Sequence, residues 1–170
     1  MKILSGTYKG IRIETMKNAS YRPTKSRVRK SIFDIISPFN YLTVLDLYSG
    51  SGVLGFESAS RGATSVTFVE NNFKNIKLLS HNKIKFDDTD FSVIKNNVET
   101  FLKKSEKKFD LIFADPPYGK IDYEWLFKSC KEKISNSGKL IIEMNNNNFT
   151  LNNCVEKIYG DTKVLFYSKI

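Results

Sequence analysis

Thr43-Val44-Leu45-Asp46-Leu47-Tyr48-Ser49-Gly50-Ser51-Gly52-Val53-Leu54-Gly55 contains three kinds of sequence in succession. A short apolar run comes first and reads as a buried strand over 43–48. Glycine and serine then break it. A helix follows over 53–60, closed by Arg61-Gly62. Strand, glycine loop and helix in that order open an α/β unit.

The same alternation continues downstream. Strands are expected at 65–70, 90–95, 109–114 and 139–144, with Gly138 at the turn before the last. Helices are expected at 72–82, 98–105 and 123–134. Segments around 154–159 and 163–168 form a hairpin turning at Gly160-Asp161. Repeated β-α units imply a mostly parallel sheet with helices on both faces, and the hairpin adds an antiparallel edge. The fold class is therefore α/β, with seven strands.

Upstream the pattern differs. Short alternating segments at 2–4 and 11–15 flank Ser5-Gly6-Thr7-Tyr8-Lys9-Gly10 and read as a small β-hairpin. Pro23-Thr24 opens a helix with Thr24 as its cap, and Pro38 ends it. Val28, Ile32, Ile35 and Ile36 recur at helical spacing and should pack down, with Arg27 and Lys30 off that stripe and Arg29 at its margin. Two regions result: residues 1–40 as a basic extension packed on the core, and 41–170 as the main domain.

Charge is unevenly spread. The chain of 170 residues carries a net +9, from 27 Lys and Arg against 18 Asp and Glu. Nine of those basic residues, and only two of the acidic ones, lie in residues 1–40. A concentrated basic segment is the footprint of a polyanion, and its four arginines suit phosphate. Lys9, Arg12, Arg22, Arg27 and Arg29 are the candidate nucleic-acid contacts. The length suggests one full core, and 41% hydrophobic residues fit a folded protein. No apolar run approaches the ~18 residues of a membrane span. The first residues lack the apolar stretch of a signal peptide, so a cytoplasmic location is expected. Cys130 and Cys154 form no CxxC pair and are expected to be reduced thiols, with no metal site. His81, the one histidine, is expected at the surface.

Strand ends carry the candidate site. Gly50, Gly52 and Gly55 match GxGxxG, which permits close backbone approach to a ligand at a helix N-terminus. Glu70 ends the next strand, where a carboxylate can accept both hydroxyls of a ribose. A dinucleotide would place pyrophosphate on this loop. Asp46, four residues before the first glycine, would repel it and attract a cation, which favours S-adenosylmethionine. Asn97, with Asn96 beside it, suits an adenine edge or a helix cap. The strand at 109–114 ends in Asp115-Pro116-Pro117-Tyr118. Proline stops the ladder and holds Asp115 extended, so a carboxylate, free carbonyls and an aromatic ring meet there. That set suits a planar ligand bearing an amino group.

DLYSGSG, the acidic second strand and DPPY together resemble class I S-adenosylmethionine-dependent N-methyltransferases of Rossmann-like fold. Ser5 to Gly10, and Tyr21-Arg22-Pro23-Thr24-Lys25-Ser26-Arg27-Val28-Arg29, narrow the resemblance to the RsmD family, over about residues 2–168. That family methylates N2 of a guanine in 16S rRNA of bacteria. Ser26 and Lys30 depart from it, where members often carry acidic residues. The resemblance implies Asp115, Pro116, Pro117 and Tyr118 as the catalytic set. It implies Asp46, Tyr48, Gly50, Gly52, Glu70 and Asn97 around S-adenosylmethionine. The implied partner is 16S rRNA or the small ribosomal subunit, with a monomeric enzyme, no protein partner and no membrane. Three alternatives compete. A DNA adenine-N6 methyltransferase shares DPPY but usually has a separate recognition domain. A non-catalytic RNA-binding factor would not need the full set of acidic residues. A nicotinamide oxidoreductase is disfavoured by Asp46.

Overall fold

A computed structural model describes residues 1–16, 26–117 and 121–169. After α1 (Ser26–Ile35), strands and helices alternate as β1 (Thr43–Leu47), α2 (Val53–Ser60), β2 (Ser65–Glu70), α3 (Phe73–Lys83), β3 (Asp90–Lys95), α4 (Val98–Lys104), β4 (Phe109–Ala114) and α5 (Tyr123–Lys131). The chain closes with β5 (Ile134–Asn145), β6 (Cys154–Tyr159) and β7 (Thr162–Ser168). The seven strands form one sheet in the order β3-β2-β1-β4-β5-β7-β6. β1 to β5 pair in parallel, and β7 pairs antiparallel with both β5 and β6. The expected seven-stranded α/β sheet with an antiparallel C-terminal hairpin is thus present.

Side-chain alternation along the strands supplies two cores. Val44, Val66, Phe68, Leu111, Phe113 and Ile141 face α1 to α3. Leu45, Leu47, Val69, Ile112, Leu140 and Ile142 face α4 and α5. β5 runs longer than expected, from Ile134 through Gly138, with a register shift against β4 between Phe109 and Leu111 and a left-handed φ of 63° at Ser137. α5 ends at Lys131, earlier than the expected 134. A side chain at Gly138 would meet Ile134 at 2.6 Å and the Asp110 carbonyl at 2.9 Å, so this close strand crossing needs glycine.

The N-terminal segment is built into the first core. Ile3, Ile13, Val28, Ile32, Phe33 and Ile36 all join it. The expected ribbon is a loop with a single bridge, Lys2 to Arg12, rather than paired strands. Its register is kept by bonds from Ile13 N to Met1 O (2.8 Å) and Ile3 N to Ile11 O (3.0 Å). The loop docks on the end of α2. Thr7 N donates to Ser60 O at 2.7 Å and Tyr8 N to Ser60 Oγ at 2.9 Å, while Ser60 Oγ donates to Ser5 O at 2.6 Å. Gly6 has φ +85°, and a Cβ there would lie 1.7 Å from Ser60 O. SGTYKG is therefore a docking motif, in which only glycine fits at position 6.

α1 requires a correction. Its buried face is Val28, Arg29, Ile32 and Phe33, continuing to Ile36, while Ile35 is 40% exposed. The stripe is rotated from the expected one, and Arg29 lies within it. The expected cap at Thr24 falls outside the described residues.

Candidate active site at the strand ends

The sheet order reverses between β1 and β4, which lead away from each other to opposite edges. In open α/β sheets such a switch point opens a crevice beyond the strand carboxyl ends. Asp46 stands near the end of β1, paired in register with Phe113 of β4. Asp115 follows Ala114, the last residue of β4, and is partly exposed. Pro116 behind it is buried and Pro117 is exposed, while Tyr118 lies outside the described residues.

Several local features shape the loop after β1. Tyr48, Gly50 and Gly52 have φ of 55°, 53° and 74°, a tight left-handed path. Tyr48 is half-buried against the second core, and burial pushes its phenol up, aided by nearby Cys130, Tyr123 and Glu99. Gly52 caps α2. A Cβ at Gly55 would strike the Phe68 ring at 2.3 Å, so the third glycine serves helix–strand packing.

Asp46 is buried, and its carboxylate accepts from Gly55 N at 3.1 Å. Burial pushes its carboxyl up to about 8. The Gly55 bond opposes the shift and the Glu70 charge adds to it. Glu70 is saturated by the chain itself. Its Oε2 accepts from Gly50 N (2.8 Å) and Asn75 Nδ2 (3.3 Å), and its Oε1 from Asn71 N (2.9 Å) and Asn72 N (2.8 Å). Those four donors fill the lone-pair sites of a carboxylate. Asn75 Oδ1 beside it is buried and has no hydrogen-bond partner among the described residues. Asn97 is the N-cap of α4, with Oδ1 accepting from Glu99 N at 2.8 Å. Of its two expected roles, the cap is the one observed, and its amide nitrogen takes no part in it. Asn96 Oδ1 accepts from Asn97 N.

The basic candidates separate. Lys9, Arg12 and Arg27 are exposed. Arg22 lies outside the described residues. Arg29 is fully buried, which removes it from the nucleic-acid surface. Its Nη2 donates to Lys2 O at 2.6 Å, and its Nε lies 3.8 Å from Glu57 Oε2. Burial lowers the guanidinium from its ordinary value, and Glu57 opposes this. Glu57, absent from the sequence expectations, is the hub of this corner. It accepts from Leu4 N (2.8 Å), Ser5 N (3.1 Å) and Arg61 Nε (3.0 Å). One sequence signal pointed to it: α2 is otherwise apolar or small, so a glutamate within it had to find buried partners.

Among the described residues no cluster of His, Cys, Asp and Glu could hold a metal, and no helix is long and apolar enough to cross a membrane. Cys130 is buried and Cys154 half-buried, both as free thiols. His81 sits at the surface, 3.0 Å from Glu14.

This sheet order, with a glycine loop and an acidic strand end beside it, defines a class I methyltransferase fold. A solved structure described as putative methyltransferase yhhF from Escherichia coli superposes with a TM-score of 0.86, at 23% identity, over 99% of this chain and 97% of that one. The family described as conserved hypothetical protein 95 matches residues 1–168, so the chain belongs to that family, the RsmD family of the resemblance above. Ribosomal RNA small subunit methyltransferase D of Buchnera aphidicola subsp. Baizongia pistaciae is 40% identical over 120 residues. That alignment covers 69% of this chain and 61% of the relative. Putative rRNA methyltransferase YlbH of Bacillus subtilis is 38% identical over 123 residues, covering 69% of this chain and 67% of that protein.

Proposed function

We propose that this protein transfers a methyl group from S-adenosylmethionine to the exocyclic N2 amine of a guanine in 16S rRNA, presented in the small ribosomal subunit or a late precursor. The observation that carries the reading is the placement of Asp115-Pro116 at the end of β4, across the switch point from Asp46 and the glycine loop. The names of the curated relatives support the RNA substrate.

The residues present fit the cofactor. A buried carboxylate pushed up to about 8 by desolvation is stabilised by a cation placed against it, and Asp46 is such a group. Asp46, the Tyr48–Gly52 backbone, Glu70 and Asn97 would hold S-adenosylmethionine. Glu70 must exchange one of its donors to take a ribose hydroxyl. Asn75 Nδ2, at 3.3 Å, is the longest of the four, and the unpartnered Asn75 Oδ1 lies on the same side chain. Bound there, the cofactor supplies an electrophilic methyl group on a sulfonium.

The chain's part is to make a poor nucleophile react. The lone pair of a guanine amine is delocalised into the ring. Asp115 and the Pro116 carbonyl, accepting the two amine hydrogens, localise it on nitrogen. Transfer would form the nitrogen–methyl bond as the methyl–sulfur bond breaks, the electron pair leaving on sulfur, and the surplus proton would go to Asp115 or water. Tyr118 stacks on the base, worth about 1–3 kcal/mol. The base must leave its stack to reach this crevice. Lys9, Arg12, Arg22 and Arg27 hold the surrounding phosphates, so affinity falls with salt.

The test is transfer of labelled methyl from S-adenosylmethionine to under-methylated small ribosomal subunits, with nucleoside analysis of the RNA. N2-methylguanosine in 16S rRNA is expected. Label in another nucleoside, or in DNA adenine, contradicts the reading.

A further inference from the structure

Beside Asp115 stands a second carboxylate that the reading above does not use. The β4–β5 ladder ends in the pair Ala114–Ile142, and the next residue on each chain segment is Asp115, just past the end of β4, and Glu143 of β5. Neighbouring strands lie about 4.8 Å apart, so the two side chains are close neighbours. They also share a face. Phe113 and Ile141, two residues earlier on each strand, both face the α1–α2 core. Asp46 faces that side too, since its carboxylate reaches Gly55 on α2. Three carboxylates therefore lie on one face of the sheet near its carboxyl end, Asp46 on β1 standing two residues further back than Asp115 and Glu143. Glu143 is only 6% exposed, and its backbone is in register with Val164 of the neighbouring strand β7. A carboxylate kept at a buried strand end, next to an amine-binding aspartate, suits a ligand with two adjacent sets of N–H donors.

We infer that Glu143 determines which base is methylated, by accepting the N1–H of guanine while Asp115 and the Pro116 carbonyl take the N2 hydrogens. This rests on the reading of Asp115 as the amine site. On the guanine edge the N2 amine is flanked by N1–H, a donor. On the adenine edge the N6 amine is flanked by N1 with a lone pair, an acceptor. An acidic neighbour welcomes the first and repels the second. A site built to hydrogen-bond a particular N–H discriminates against analogues lacking it, because an acceptor on the base then faces an acceptor on the protein. Guanine selection thereby has a physical cause at a named residue, separate from the amine chemistry that both bases share.

The experiment uses 16S rRNA reconstituted into small subunits with either guanine or 2-aminopurine at the mapped target. 2-Aminopurine keeps the N2 amine but has an acceptor at N1. The wild-type protein is expected to prefer guanine at least tenfold in kcat/KM. Glu143→Gln, whose amide can donate to that acceptor, should cut the preference at least tenfold while cofactor affinity stays unchanged. Equal wild-type turnover of the two bases overturns the inference, whatever the variant does. An unchanged preference in Glu143→Gln overturns it as well. Glu143→Asp, which withdraws the carboxylate by one methylene, is the second variant; it too should narrow the preference, and an unchanged ratio counts against Glu143. Absence of any N2 methylation by the wild type sinks the underlying reading instead.

Discussion

Glu57 and Asp46 are carboxylates of one buried layer, the first on α2 and the second beneath it, and the chain treats them in opposite ways. Glu57 receives two backbone amides from the N-terminal loop and ion pairs from Arg61 and Arg29. Its charge is compensated by the fold, and it pins the loop, α1 and α2 together. Among the described residues Asp46 receives one amide, from Gly55, pairs with no cation, and sits near the like charge of Glu70. Burying a charge without a partner is costly, which is why desolvation raises its carboxyl, and the proposed cofactor would supply the missing cation. The basic N-terminal segment divides on the same line. Arg29 serves the fold, whereas Lys9, Arg12 and Arg27 remain on the surface.

The comparison breaks first at Glu57. Glu57→Ala leaves Arg29 buried without its counter-charge, which costs roughly 3–5 kcal/mol. The thermal midpoint should fall by about 10 °C for a chain of this size. Calorimetry at neutral pH checks it, and an unchanged midpoint shows Glu57 to be dispensable. Gly6→Ala comes next. A left-handed φ of +85° and a Cβ driven into Ser60 O should cost about 1–3 kcal/mol or more and loosen the N-terminal loop. Amide exchange at Thr7 and Tyr8 reads this directly.

Asp46 sharpens the other half of the comparison through pH. Its folded pKa, about 8, lies above the ordinary 3.8, so the folded chain holds the proton more tightly than the unfolded one. The stability it contributes is complete below about 3.8, declines as pH rises between the two values, and is gone above about 8. The free protein should lose stability between about pH 4 and 8 relative to Asp46→Asn. Cofactor affinity of the wild type should rise over that interval, and the variant should bind roughly tenfold more weakly at pH 9. Parallel pH profiles for the two proteins would remove the assigned role. The smallest effect belongs to Arg27→Gln, which should weaken RNA binding and lower the salt slope by about one without touching cofactor affinity. Arg29→Gln should instead lower stability.

The sheet was legible because β and helical periods alternate cleanly from 43 onward, and because glycine and proline punctuate each unit. α2 and β6 fall where the pattern places them. Arg29 was not legible. Spacing within α1 allows two neighbouring stripes, and the choice depends on Glu57, which is distant in sequence and meets it only through the folded N-terminal loop. Glu70 was legible as a strand-end carboxylate but not as one occupied by Gly50, Asn71, Asn72 and Asn75, since such bonds depend on how two loops meet. Glu143 was hidden within an apolar strand, and only the β4–β5 register brings it beside Asp115.

The most direct test of the amine site is a paired measurement on Asp115→Ala: cofactor affinity by calorimetry, and methyl transfer to under-methylated small subunits. Affinity should stay within a factor of about two, while transfer falls by roughly a thousandfold. Transfer at a rate near the wild type, with affinity intact, would contradict the assignment of this strand end as the place where the methyl group is received.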